Sequence, residues 1–373
     1  MIQEPNILTI DLSALVHNLN QVKKLIRADT EIMGIVKSEA YGHGLLPMAR
    51  ALEGAGVGSL GVAFLYEAVD LRENGIKLPI IILGGIRTRE ECREAVDKRL
   101  TTVIYNLKSA GLLDEESAGK GKKAKIQIKV DTGMGRLGVS YQDVGPFLKK
   151  IMRYKNLEPE GLTSHLSSAD ELNTDFTETQ INNFKEAVQK SQELGLNFTR
   201  NNLANSAGIM AHKRSHFDMV RPGIMLYGGL PSPEFQSPVP LKPVMSLKGR
   251  ILQIREFPDQ TPISYGRTYY TKGVQKIAVL SAGYGNGLPR SISTMGEVLI
   301  RGKRAGIAGR VCMNMTLSDI TGFENIMAGD EVIFLGPQGD DGISGDEMAG
   351  WSKTISYEIF CSIGNNNIRK YLT

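Results

Sequence analysis

Five apolar runs in this sequence end in polar side chains of the kinds that do acid–base and amine chemistry. Lys37 follows Ile35-Val36. Lys129 and Asp131 close the run that begins at Ile126. His165 follows Leu162-Thr163-Ser164, Asn202 follows Phe198, and Arg221 follows Met219-Val220. A lysine at the mouth of a buried strand is partly desolvated, which favours the neutral amine and makes it a nucleophile able to form a Schiff base with a carbonyl. Taken alone, such a lysine more often snorkels to solvent. The run Lys37-Ser38-Glu39-Ala40-Tyr41-Gly42-His43-Gly44 shifts that balance. Its glycines allow close approach of backbone to a ligand, and Tyr41 offers a phenol to a phosphate. Five polar strand ends at one face point to a shared site.

The elements that must position these groups follow from the hydropathy pattern. Apolar runs at 32–36, 60–63, 80–83, 102–105, 126–130, 161–163, 197–199 and 217–220 alternate with segments of helical spacing such as Leu45-Met48-Ala49-Leu52. Continuous apolar runs between amphipathic helices indicate a parallel sheet buried on both faces. Eight such units over about 230 residues predict an α/β fold with an N-terminal (β/α)8 barrel, spanning residues 1–235. No GxGxxG follows the first strand, which weakens a dinucleotide-binding open sheet. Five prolines between Leu230 and Pro243 mark a boundary. Beyond them, alternating short strands at 245–254, 276–280, 297–300, 305–308, 315–320 and 331–335, closed by a helix over 354–363, predict a C-terminal mainly-β domain at 236–373. The first strand, about 7–10, is free to pair into it.

With these elements in place the motifs resemble one family. Val36-Lys37 with Ala40-Tyr41-Gly42-His43-Gly44 is similar to the cofactor-lysine motif of alanine racemases, enzymes that use pyridoxal 5'-phosphate. Lys129-Val130-Asp131-Thr132-Gly133-Met134-Gly135-Arg136-Leu137-Gly138 resembles that family's second signature. Ser164-His165, Ala204-Asn205-Ser206-Ala207, Val220-Arg221-Pro222-Gly223-Ile224, Ser264-Tyr265-Gly266, Gly283-Tyr284-Gly285, Gly309-Arg310-Val311-Cys312-Met313 and Tyr357-Glu358 follow in family order. The resemblance covers nearly the whole chain.

That resemblance implies a role for each residue. Lys37 resembles the lysine that holds the cofactor and serves as base on one face of the substrate Cα. Tyr265 resembles the base on the other face, donated by the second subunit of a head-to-tail homodimer. Racemisation needs both, because a proton leaves one face and another arrives opposite, and each positioned acid–base group is worth roughly 10²–10⁴ in rate. Arg221 resembles the residue against the pyridine nitrogen; a guanidinium does not give up its proton, so that nitrogen stays bare. His165 resembles the link from Arg221 to Tyr265. Tyr41, Ser206, Gly223, Ile224 and Tyr357 resemble the phosphate cradle, with Asn202 also on the cofactor side. Arg136 and the Met313 N–H resemble the substrate-carboxylate site, Tyr284 part of the access channel, and Lys129 a lysine that some members carry as a carbamate.

The sequence departs from the family pattern at Ser38-Glu39, where Ala-Asn is usual, at Asn286 and Asn314, where Asp is usual, and in the tail Ile363-Gly364-Asn365-Asn366-Asn367-Ile368-Arg369, which lacks the usual basic and proline residues. None of these positions is a proposed base. They bear on substrate range and turnover.

Composition bounds the alternatives. Of 373 residues, 41% are hydrophobic and 23% charged, ordinary for a globular enzyme. No run approaches the roughly 18 apolar residues of a membrane span, and no basic leader precedes an apolar core, so the expected location is cytoplasmic. Net charge is +4. The basic cluster at 120–125 reads as a solvated loop, and no nucleic-acid partner is expected. Three scattered cysteines argue against a disulfide framework or zinc site, and no metal is expected. The expected function is interconversion of L- and D-alanine, supplying D-alanine for peptidoglycan. The competing readings are a racemase of serine or broader range, a decarboxylase on the same architecture, and a non-catalytic protein that buffers the cofactor. Arg221 argues against decarboxylation, and the β domain carrying Tyr265 and Met313 against a mere cofactor buffer.

Overall fold

The computed structural model describes residues 5–373. After strand β1 (Ile7–Asp11), the parallel strands β2 (Glu31–Ile35), β3 (Ser59–Val62), β4 (Ile80–Ile82), β5 (Thr101–Ile104) and β6 (Ala124–Asp131) pair in sequence order. A two-residue strand β7 (Val139–Ser140) and the longer β8 (Leu157–Thr163) both pair with β6, and β9 (Met219–Val220) pairs back onto β2. The first staves are apolar on both faces because helices cover the outside while side chains fill the inside; β3, β4 and β5 are buried at every position. Two of the connecting helices start on side-chain caps, the reciprocal Thr88–Glu91 pair before Arg89–Asp97 and Asn106 before Leu107–Gly119.

The seventh stave differs from the sequence reading. The run 197–199 forms no strand; the position between β8 and β9 is held by Asn202, bridged in parallel to Thr163 on one side and Met219 on the other. This stave is built from polar side chains, so a search for apolar runs lands three residues early. Asn201 accepts from the Leu162 N–H and donates to Asp218. Its neighbour Arg200 spans the gap in charge: it binds Glu160 of β8 at 3.0 Å and Glu31, the first residue of β2, through Nε at 2.9 Å.

Past the proline-rich segment the chain forms strand β10 (Met245–Phe257), whose burial alternates along its first half. A mixed sheet grows from it. Strands Glu331–Gln338 and Gln275–Leu280 run antiparallel to β10, and so does β1 at the chain's beginning. On the far side of β1 lies the parallel strand Arg369–Leu372 at the chain's end. A hairpin of two-residue strands (Pro262–Ile263 and Tyr269–Tyr270), the helix Gly345–Ser352 and the strand Arg369–Leu372 are additional to the sequence reading. The late helix lies at Ser356–Asn365.

The ends of the chain meet the beginning of the barrel at Lys37. The turn after β2 packs on the helix Ser356–Asn365 through two glycines: a Cβ on Gly42, whose φ is +84°, would sit 2.2 Å from the Phe360 carbonyl oxygen, and one on Gly364 would sit 1.9 Å from the Gly42 oxygen. The closest approach of the two domains is therefore backbone against backbone.

Arg200→Ala should leave Glu31 without a counter-ion and Glu160 with Lys125 alone, and lower stability by about 1–3 kcal/mol. Urea denaturation measures this, and a midpoint equal to wild type would show that the ion pairs do not close the barrel.

Candidate active site

One cavity opens at the carboxyl ends of the barrel strands, where the staves hand over to loops. It gathers Lys37 from the end of β2, Lys129 from β6, Arg136 from the loop beyond it, His165 after β8 and Arg221 after β9. Tyr41, Ser206, Gly223, Ile224 and Tyr357 line the same space, along with Ile35, Leu83, Leu137 and Asn205. Two lysines and two arginines face one cavity, and no aspartate or glutamate lines it.

Arg221 is 5% exposed. Its Nη1 donates to the Asn202 side-chain oxygen and, at 3.5 Å, to Thr163; Nη2 donates to the carbonyls of Ser164 at 2.5 Å and Leu203 at 3.2 Å, and to His165 Nδ1 at 3.2 Å. Every acceptor is neutral. Burial, with Arg136 second, lowers its pKa to about 10, which leaves it cationic at neutral pH. Because arginine only donates, His165 Nδ1 must be the acceptor and the ring proton sits on Nε2. Burial first, then Arg221, Lys129, Arg136 and Lys37, push the imidazole well below its ordinary range, so His165 is neutral.

Lys37 and Lys129 are shaped by the same forces. Burial, then Arg136, depresses Lys37; Glu67 opposes the shift and Arg221 adds to it. Lys129 lies well below the usual lysine range, through burial, Arg221 and Arg136, with Asp131 opposing. Desolvation and like charge both disfavour the ammonium form and favour the amine, whose lone pair is the nucleophile. Arg136 stands at the end of a loop shaped by Asp131, whose carboxylate accepts from the backbone N–H groups of Gly133, Met134 and Gly135. Among the described residues, no carboxylate pairs with Arg136.

The lower wall supplies neutral donors. Tyr41 and Tyr357 lie 5.7 Å apart between ring centroids. Burial raises both phenol pKa values, so both stay protonated and able to donate. Ser206 accepts from the Gly223 N–H at 3.0 Å, which leaves its own hydroxyl hydrogen free. A Cβ on Gly223 would sit 2.4 Å from the Tyr41 oxygen, so the phenol rests on bare backbone. Hydroxyl donors beside a counter-ion-free guanidinium and neutral amines fit an anionic, aldehyde-bearing cofactor: a phosphate would meet Tyr41, Ser206 and Tyr357, and an aldehyde would meet Lys37.

The backbone that carries Lys37 is unusual. Ser38, Glu39, Ala40 and Tyr41 all have φ between 51° and 56°, one turn of left-handed helix at a cost of roughly 1–2 kcal/mol per residue. Such strain concentrates at functional sites.

Four residues singled out in the sequence do not line this cavity. Asn202 is fully buried behind Arg221, also bonded to Thr163 at 2.6 Å and to Gln127. Tyr265, Tyr284 and Met313 lie in the C-terminal domain and are 68%, 41% and 58% exposed. They share one face: the Tyr284 N–H donates to the Cys312 carbonyl, Gly285 to the Met313 carbonyl, and Ser264 to the Arg310 carbonyl. Tyr265 lies in the hairpin turn after Ser264, which has φ +64°. Two of the departures from the family pattern meet: Asn286 donates to Asn367 at 3.3 Å and accepts from it at 2.9 Å through its carbonyl, so both sides of that contact are uncharged. Sequence reasoning missed Glu67, whose buried carboxylate binds the backbone beside Lys37; as one glutamate on a helix it carries no local signal.

A parallel barrel with a β domain behind its mouth, and a lysine-centred cavity made for an anion, define the class of protein. The chain belongs to the alanine racemase family. Residues 10–231 match the family of alanine racemase N-terminal domains and residues 244–371 that of the C-terminal domains. The alanine racemase of Citrifermentans bemidjiense is 42% identical over 99% of both chains. Among solved structures, the alanine racemase of Streptomyces lavendulae superposes with a TM-score of 0.93 at 31% identity, covering 100% of this chain and 98% of that one. The alanine racemase of Bacillus anthracis, solved with bound L-Ala-P, gives 0.90 at 33% identity over 100% and 96%.

In cofactor-free protein, pulse labelling with acetic anhydride should modify Lys37 and Lys129 with half-reaction pH values below the ordinary lysine value of about 10.4. The sign follows from burial and the neighbouring arginines, which expel the proton at lower pH. Half-reaction at or above that value would contradict the proposed desolvation.

Proposed function

We propose that the protein binds pyridoxal 5'-phosphate at Lys37 and interconverts L- and D-alanine by a two-base mechanism, with one base supplied by a second subunit. The observation that carries this reading is the cavity lined by two lysines and two arginines and by no carboxylate. The alanine racemase with bound L-Ala-P, similar over the whole chain, supports alanine as the substrate.

When bound, the cofactor supplies an electron sink that acidifies the substrate Cα–H bond. The chain's own residues do the rest. Lys37 holds the cofactor, and its desolvated Nζ removes or returns a proton at one face of Cα. The partner subunit's Tyr265 does so at the other face. Arg221 would offer the pyridine nitrogen a donor that does not give up its proton, so the electron sink supplied there would be a limited one, favouring return of the proton to Cα. His165, with its proton on Nε2 and Nδ1 tied to Arg221, is oriented to pass a hydrogen bond onward to Tyr265. Arg136, with the Met313 N–H of the partner subunit, binds the substrate carboxylate, and Tyr284 borders the access channel. Tyr41, Ser206, Gly223, Ile224 and Tyr357 hold the phosphate, and Asn202 buttresses Arg221.

Exposure of Tyr265, Tyr284 and Met313 on one face, away from the Lys37 cavity of their own chain, supports a head-to-tail homodimer. Lys129 is suited to carry a carbamate: its neutral amine adds to CO2, releasing a proton, and Arg136 and Arg221 then face an anion. Among the described residues no helix is long and apolar enough to cross a membrane. Three free cysteines support a cytoplasmic location. There the product would supply D-alanine for peptidoglycan.

Borohydride treatment of the yellow holoenzyme should attach the cofactor to Lys37, seen by peptide mass analysis; a protein that binds no pyridoxal phosphate ends this reading. Tyr265→Phe should slow exchange of the L-alanine Cα–H with deuterated solvent by about 10²-fold or more while sparing exchange from D-alanine; equal losses for the two enantiomers would refute the two-face assignment. Activity on dilution should follow the dimer fraction measured by sedimentation, and full activity in a monomer would remove Tyr265 as a base donated by a partner.

A further inference from the structure

The left-handed turn that presents Lys37 is a conformation that Ser38, Glu39, Ala40 and Tyr41 do not favour, so something must hold it. Its own backbone bonds are all short-range: Ala40 donates to Val36, Gly42 to Ser38, His43 to Ala40 and Gly44 to Glu39. Side chains supply the rest, and the outermost two come from distant parts of the chain. Glu67, 2% exposed on the helix Leu65–Glu73, receives the Ser38 N–H on Oε1 at 2.6 Å. Its other oxygen receives the N–H groups of Ala63 at 2.7 Å and Phe64 at 3.0 Å, just past β3. At the opposite end, Arg369 donates through Nε to the Gly42 carbonyl at 2.7 Å and through Nη1 to Glu39 at 3.2 Å, while Nη2 binds Asn365. Between them His43 closes the turn, its Nδ1–H lying 3.1 and 3.0 Å from the Ala40 and Tyr41 carbonyls.

We propose that Glu67 is a positioning residue for Lys37, and that with Arg369 it forms a two-ended clamp that keeps Ser38–Tyr41 left-handed and so aims the lysine into the cavity. The inference deepens the proposed function and rests on Lys37 being the base. Among the described residues, Glu67 pairs with no cation; its acceptors serve backbone alone, one oxygen for each strand end. That division makes the carboxylate irreplaceable by its isostere. A glutamine has one acceptor oxygen and one donor nitrogen, so either Ser38 or the Ala63–Phe64 pair would face an N–H group instead of an acceptor. A glutamate that merely filled space would tolerate the change.

The test compares wild-type holoenzyme with Glu67→Gln and Arg369→Ala by amide hydrogen exchange and by steady-state kinetics with alanine. Glu67→Gln should speed exchange in the peptides covering 36–43 and 62–65 and nowhere else, and should lower kcat by about 10²-fold, the cost of misplacing a reacting group by roughly an ångström, with KM little changed. Arg369→Ala, at a more accessible site, should speed exchange over 36–43 but not over 62–65, with a smaller loss of kcat. Wild-type exchange and kcat in both variants would overturn the clamp, as would exchange raised evenly through the whole molecule. If the wild type racemises no amino acid and yet the local exchange changes appear, the functional reading fails and the clamp stands. If the wild type is active and the variants exchange normally, the clamp alone fails.

Discussion

A guanidinium held inside a protein without a carboxylate is the constraint on which this site depends. Burying a charge is costly unless its hydrogen bonds are met, and the usual remedy is an acid close by. Arg221 has its bonds met by an amide, carbonyls, a hydroxyl and an imidazole, all neutral. The positive charge is therefore not cancelled where it sits. It acts on its neighbours, disfavouring the ammonium forms of Lys129 and Lys37 and holding His165 as a neutral ring in a fixed tautomer. A carboxylate in this position would reverse all three effects and would also protonate a ring nitrogen placed against it. On the proposed reading, one residue type would set both the nucleophile and the electronic limit on the cofactor.

The two domains divide the remaining work. The barrel supplies a rigid ring of strand ends, and the C-terminal segment braces the one irregular element among them. Gly42 and Gly364 let the helix Ser356–Asn365 lie directly on the Lys37 turn, and that helix brings Tyr357 to the cavity. Arg369 reaches the same turn from the last strand, which is itself anchored beside β1. The β domain also carries Tyr265, Tyr284 and Met313 exposed at its surface. On the proposed reading, a domain that steadies its own lysine would offer a base to a second copy.

The departures from the family pattern make physical sense where the structure gives them partners. Glu39 meets Arg369, so the acid adds an ion pair to the turn. Asn286 and Asn367 meet each other, and neither side is charged. Asn314 is exposed beside Met313, and nothing in the single chain explains it.

The sequence by itself determined the barrel and the identity of its reactive strand ends. Staves buried on both faces must be runs of apolar residues, and the first polar residue after each run falls at the mouth; Lys37, His165 and Arg221 were legible for that reason, and their motifs for another. The same logic failed at the seventh stave, where Asn202 does a strand's work without an apolar run. Only the tertiary structure decided which groups act together. That Glu67 holds Ser38, that Arg369 holds Gly42 more than three hundred residues away, that Arg221 lacks an acid, and that Tyr265 does not line its own lysine's cavity are facts about placement in space. Local periodicity records which face of an element is buried, but carries no record of what lies across from it.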